Sequence, residues 1–194
     1  MKNSLPLSCI FAQMLLSSCN PQGQSDANQT TNAQNWNWQT ILQEKLPLLG
    51  HRNWVVITDM AYPLQAKDGI TTLYATEPYA EVLSTVAQMI GATPHVYAHV
   101  YQDKELSFLS EDICPGIDEL KTDMNKALAN ADVTPVDHEQ LIERLDSVSN
   151  LFEVIIIKTP LTKPYTSTFF ELDCKYWDSD KQALLNAKIA NAAK

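Results

Sequence analysis

Gly50-His51-Arg52-Asn53-Trp54-Val55-Val56-Ile57-Thr58-Asp59-Met60-Ala61-Tyr62-Pro63 decides how this chain is read. Trp54 to Thr58 is apolar and rich in β-branched residues, so it reads as a buried strand. His51 and Asp59 bracket that strand, eight residues apart, and Pro63 follows four residues after Asp59. Polar groups at strand ends are where α/β folds place chemistry. A histidine is also the side chain whose ordinary pKa lets it act as acid or base at neutral pH. Each residue has a plainer reading from position alone. His51 sits just past a helix end, where the helix dipole favours it, and Asp59 begins a turn.

Outward from this block, residues 40–49 read as a helix closed near Gly50, a C-cap glycine, with Pro47 straining the last turn. Residues 70–76 read as a strand. Glu77-Pro78 opens a helix to about Ile90, with Pro78 in its first turn. Val82, Val86, Met89 and Ile90 give that helix a core face. Residues 94–102 are strand-like and residues 116–129 helical. Asp137 to Ser149 is a helix with Asp137 as N-cap, Gln140 as capping-box partner, and Leu141, Leu145 and Val148 as its stripe. Glu153–Lys158 and Thr166–Cys174 are strands, and residues 180–193 form an alanine-rich terminal helix. This alternation predicts an α/β fold, a central sheet flanked by helices.

The first residues read as an address. Lys2 is a thin positive region, Leu5 to Leu16 a short apolar one, and Leu16-Ser17-Ser18-Cys19 has the form of a bacterial lipobox. The apolar run is shorter than the roughly 20 residues of a membrane span. Residues 1–18 are therefore expected to be a lipoprotein signal peptide, with Cys19 lipidated after cleavage. Acyl chains contribute about 0.8 kcal/mol per buried methylene. An uncleaved signal or a different start is the alternative. Residues 19–40, polar with few aliphatics, read as a tether. Trp36 and Trp38 near its end are expected to dock on the domain rather than touch a membrane. The resulting location is lipid-anchored in a bacterial cell envelope, on the periplasmic or surface face.

The chain holds 14 Lys+Arg against 23 Asp+Glu, a net charge of −9. That balance, without a basic stripe, excludes a nucleic-acid binder and is compatible with a neutral substrate. With five glycines there is no phosphate loop, and neither a nucleophile elbow nor a His-Glu-x-x-His motif appears. Cys9 lies in the signal and Cys19 carries the lipid. Cys114 and Cys174 remain; export permits a disulfide between them without establishing one. His95 and His99, four apart on one strand, are placed on a polar face rather than in a metal site, because no third ligand accompanies them.

The Gly50-His51 pair, the spacing to Asp59 and on to Pro63, and the apolar run between them together resemble the opening of the RbsD/FucU family of sugar pyranases and mutarotases. His138-Glu139-Gln140 resembles the corresponding string of its ribose-pyranase members. Pro164-Tyr165 leads into a strand as in the family, where Tyr-x-Asn is the pattern; here Tyr165-Thr166-Ser167 puts serine in place of asparagine. Serine keeps a donor and an acceptor but has shorter reach. About five more residues separate His138 from Tyr165 than in the ribose type. The resemblance spans about residues 41–175 of a domain at 41–178; the terminal helix at 179–194 falls outside it.

The resemblance implies an RbsD-like three-layer fold and cofactor-free exchange of monosaccharide isomers, either anomers or pyranose and furanose rings. His51 would transfer the proton. Asp59, His138, Tyr165 and Ser167 would bind sugar hydroxyls, of ribose or fucose for example, or orient the histidine. No cofactor or metal is required. Eight extended residues span about 26 Å, so His51 and Asp59 reach one small sugar only if turns shorten the path or subunits share a site. The resemblance favours a shared site in a homo-oligomeric ring. A non-catalytic sugar-binding envelope lipoprotein supporting carbohydrate uptake is the alternative, and a purely structural envelope protein a third reading.

Overall fold

The computed structural model describes residues 37–129 and 131–192. The signal, Cys19 and Trp36 lie outside the described residues. The first strand, β1, is Trp54–Thr58, with all five residues buried. The others are β2 (Ile70–Tyr74), β3 (Val96–Asp103), β4 (Val133–Val136), β5 (Val154–Lys158) and β6 (Thr168–Cys174). They form one sheet in the order β2-β5-β1-β6-β3-β4. β1, β2 and β5 pair parallel, as do β3 and β4. β6 lies between β1 and β3 and runs against both. Five strands therefore point the same way, and their carboxyl ends share one edge with the start of β6.

Alternation in the strands divides the core into two layers. Val55, Ile57, Ile155, Ile157, Phe170 and Leu172 face one layer. It contains helices α1 (Trp38–Lys45), α2 (Tyr79–Ala92) and α3 (Ile117–Ala127). Trp54, Val56, Val154, Ile156 and Phe169 face the other, covered by α4 (His138–Val148) through Leu141 and Leu145. Burial on both faces explains the unbroken apolar runs of β1 and β5. The result is the expected three-layer α/β fold. The last helix, α5 (Ser179–Ala192), buries none of its residues.

Local details depart from expectation where tertiary partners prevail over sequence signals. α1 is capped by Asn37, whose side chain accepts from the Gln39 N–H. It ends at Lys45, and the chain continues through a 3-10 turn at Leu46–Leu48 with Pro47 in its opening positions. Pro47 thus strains nothing, and Gly50 is not a helix cap. Pro78 precedes α2 instead of lying inside its first turn. Asp137 starts α4, yet its side chain caps no backbone N–H. Glu105 accepts the His138 N–H instead, while Gln140 bonds to the Asp137 carboxylate. β4 was not anticipated: it is four residues long and contains Pro135, which is tolerated because β4 is an edge strand. Trp38 does dock, buried, with its indole N–H on Glu77 at 3.0 Å. Cys114 and Cys174 are both free.

Candidate functional site

The carboxyl edge of the parallel strands gathers most of the chemistry-bearing residues. Asp59 follows β1, and its carboxylate accepts the Ala61 N–H at 2.6 Å. Asp103 ends β3, and its side chain is fully buried. One of its oxygens bonds to His138 Nδ1 at 3.0 Å, and the other is buried without a partner. Burial raises the Asp103 pKa above the ordinary carboxylate value; the bond to His138 and the nearby Ser167 N–H work against that rise. The His138 side chain keeps 27% of its exposure, and its ring stands edge-on to Tyr165, centroids 5.4 Å apart.

Tyr165, Thr166 and Ser167 lead into β6. Tyr165 adopts φ 54°, and Arg52, next to His51, adopts φ 73°. Among the described residues these are the only non-glycine positions in the left-handed region. Such conformations cost about 1–3 kcal/mol and persist where the surroundings hold them, often at functional sites. The following backbone is held by Tyr79, whose hydroxyl meets the Thr166 carbonyl and lies 2.9 Å from Thr168 Oγ1. Burial pushes the Tyr79 pKa up, and the charges of Asp103 and Asp59 add to the rise. The same buried neighbourhood thus senses both carboxylates. Burial also raises Tyr62, followed by the charges of Asp103 and Asp146.

His51 is elsewhere. It lies exposed before β1, at the amino end of the parallel strands. It lines a groove of about 380 Å³ with Arg52, His99, Tyr101, Glu171 and Asp173. Tyr101 donates to Glu171 at 2.9 Å, stacks on Trp54, and lies beneath the Arg144 guanidinium. His99 and the Tyr97 hydroxyl both reach Asp173. Burial raises the Asp173 pKa, but the Cys174 N–H and then these two partners outweigh it, and the net shift is downward. His95 precedes β3 and bonds to the Leu49 carbonyl at 2.9 Å, so the two histidines have separate partners. Among the described residues no three His, Cys, Asp or Glu side chains are grouped to hold a metal. A cleft of about 810 Å³ beside Lys45, Lys67 and Glu153 is lined by none of the sequence-derived site residues.

One chain therefore brings His138, Tyr165 and Ser167 together and places Asp59 on the same edge, but it sets His51 at the other edge. Asp103 was missed as a site residue. Its signal was an acid at the end of a strand, and only the fold shows that His138 meets it.

No family model matches the sequence, and no curated protein resembles it closely. Solved structures do resemble it. RbsD from Bacillus subtilis, complexed with D-ribose, aligns at 16% identity over 69% of this chain and 92% of that chain, with a TM-score of 0.50. The fold is RbsD-like. A fucose mutarotase from Streptococcus pneumoniae, in complex with L-fucose, aligns at 18% identity over 69% of this chain and 91% of that one, with a TM-score of 0.46. The RbsD-like part leaves out about a third of the chain. Within that frame, the carboxyl edge is where open α/β sheets hold ligands.

Proposed function

We propose that this protein exchanges isomeric forms of a free aldose by acid–base ring opening without a cofactor. The observation that carries this reading is the gathering of Asp59, His138, Tyr165 and Ser167 along the carboxyl edge of an RbsD-like sheet. The ribose bound by the structural neighbour makes a monosaccharide the ligand to try first. A base removes the proton of the anomeric hydroxyl while an acid protonates the ring oxygen. The bond between the anomeric carbon and the ring oxygen breaks, leaving an open-chain aldehyde. Reclosure on the other face gives the other anomer, and reclosure by a different hydroxyl gives the other ring size. His51 transfers a proton, and Asp59, Tyr165 and Ser167 hold hydroxyls.

In this reading His51 comes from a neighbouring subunit. β1 alone covers about 16 Å at roughly 3.3 Å per residue, so one sugar does not touch both edges of one chain. A contact that joins the amino edge of one copy to the carboxyl edge of the next is heterologous, and such contacts form a ring where the rotation between copies closes. The left-handed residues beside His51 and at Tyr165 support function at both edges. We further propose that lipidated Cys19 tethers the oligomer to the cell envelope. Saturation-transfer NMR on ribose and fucose, with and without the protein, tests the reading: accelerated exchange supports it, and binding without acceleration would replace it with a non-catalytic sugar carrier.

A further inference from the structure

We propose that Asp103 is a positioning residue that fixes the His138 tautomer, with Nδ1–H directed at the sheet, and thereby makes Nε2 a second proton-transfer atom. The catalytic half of this inference rests on the sugar-exchange reading; the tautomer does not.

Three observations lead to it. Asp103 has no side-chain exposure, yet one of its oxygens lies 3.0 Å from His138 Nδ1. The side chain that meets the carboxylate, through this ring nitrogen, complements an acceptor. An ionised carboxylate is acceptor-only, so the proton of a neutral imidazole is held on Nδ1. Meanwhile Glu105 binds the His138 backbone N–H through both oxygens at 3.2 Å, and the Tyr165 ring stands against the imidazole edge-on. Asp103 and Tyr165 thus hold the ring, and Glu105 fixes the backbone that carries it. Its Nε2 has no protein partner among the described residues, and the side chain retains exposure. A carboxylate behind a histidine selects the tautomer and stabilises the imidazolium that forms when the far nitrogen takes a proton.

The chemistry gives such a group work. Ring opening needs a base at the anomeric hydroxyl and an acid at the ring oxygen, on two different atoms of the sugar. His51 supplies one and His138 Nε2 the other. In ring opening the neutral histidine accepts the hydroxyl proton while the other, protonated, donates to the ring oxygen. On reclosure both protons return, and no net charge or redox change results.

The test is long-range proton–nitrogen NMR of the histidine rings in the purified protein, followed by the exchange rate of Asp103→Asn. Neutral His138 is expected as the Nδ1–H tautomer. In Asp103→Asn that preference is lost, because an amide can also donate. The exchange rate is then expected to fall about 10- to 100-fold, as for other residues that orient a histidine through its second nitrogen, with KM unchanged within about twofold. A wild-type spectrum showing Nε2–H overturns the proposal without any variant. So does an Asp103→Asn protein that keeps both tautomer and rate. Should wild type exchange no sugar while showing the Nδ1–H form, the functional reading falls and the Asp103–His138 arrangement stands.

Discussion

The two edges of the sheet hold similar side chains in opposite conditions. At the carboxyl edge Asp103 is sealed in, His138 is held by it, and the backbone around Thr166 is tied to a buried tyrosine hydroxyl. At the amino edge His51 is exposed, and its neighbours Glu171, Tyr101 and Asp173 line an open groove. A histidine at the first edge is pre-organised by its own chain. One at the second acquires a defined orientation only from something laid against it. The difference teaches that this fold orders the carboxyl edge from within the chain and leaves the histidine of the amino edge exposed.

The strongest way to break this comparison is His51→Ala. If the exposed histidine transfers a proton, its loss lowers saturation-transfer exchange about 10²–10⁴-fold with the melting temperature unchanged, because His51 packs against little. Unchanged exchange would leave the amino edge without a role. Gly69 sharpens the contrast from the structural side. A Cβ there would come 2.0 Å from the Ser149 carbonyl oxygen, which is backbone and gives way only if the β2 entry shifts. Gly69→Ala is expected to lower unfolding stability by about 1–3 kcal/mol, read by chemical denaturation, so that this edge is sensitive where backbones touch and tolerant at His51.

Tyr165→Gly separates strain from stability. Relief of the left-handed conformation offsets the lost ring and the added chain entropy, so stability stays within about 1 kcal/mol of wild type. Exchange should nonetheless fall, since the ring no longer stands against His138. A loss of stability with full exchange would reverse the assignment. The smallest effect is expected at Glu111. Its carboxylate accepts the N–H groups of Asp118 and Gly116 at the start of α3, which holds its pKa below the usual 4.5. Protons then bind the unfolded chain more readily than the folded one. The stability Glu111 contributes is complete above pH 4.5 and is lost as pH falls through the lower folded value. Glu111→Gln should therefore lower the melting temperature slightly at pH 7 and flatten its decline in acid.

Much of this was legible in the sequence, for physical reasons. β1 and β5 are buried on both faces, and continuous apolar runs announce that. The stripe of Leu141 and Leu145 announced α4. β4 was not legible, because four residues with a proline carry no periodic signal and owe their strand to β3 beside them. The helix signals at Gly50 and Gln140 were misleading, since a 3-10 turn and the distant Glu105 satisfied the backbone instead. In the candidate site, local spacing pointed to His51 and Asp59 but not to Asp103. Its meeting with His138 joins residues 35 apart in sequence, and only the parallel pairing of β3 with β4 brings them together.

The central claim is that a working site takes His51 from one subunit and His138 from its neighbour. Mixing the purified His51→Ala and His138→Ala proteins after subunit dissociation and reassembly tests it most directly. Each protein alone should be inactive. Heterologous contacts formed at random restore both histidines at about one quarter of the sites, so exchange should return to about that fraction of wild type. If the mixture stays as inactive as its components although mixed oligomers form, the two edges do not share a site.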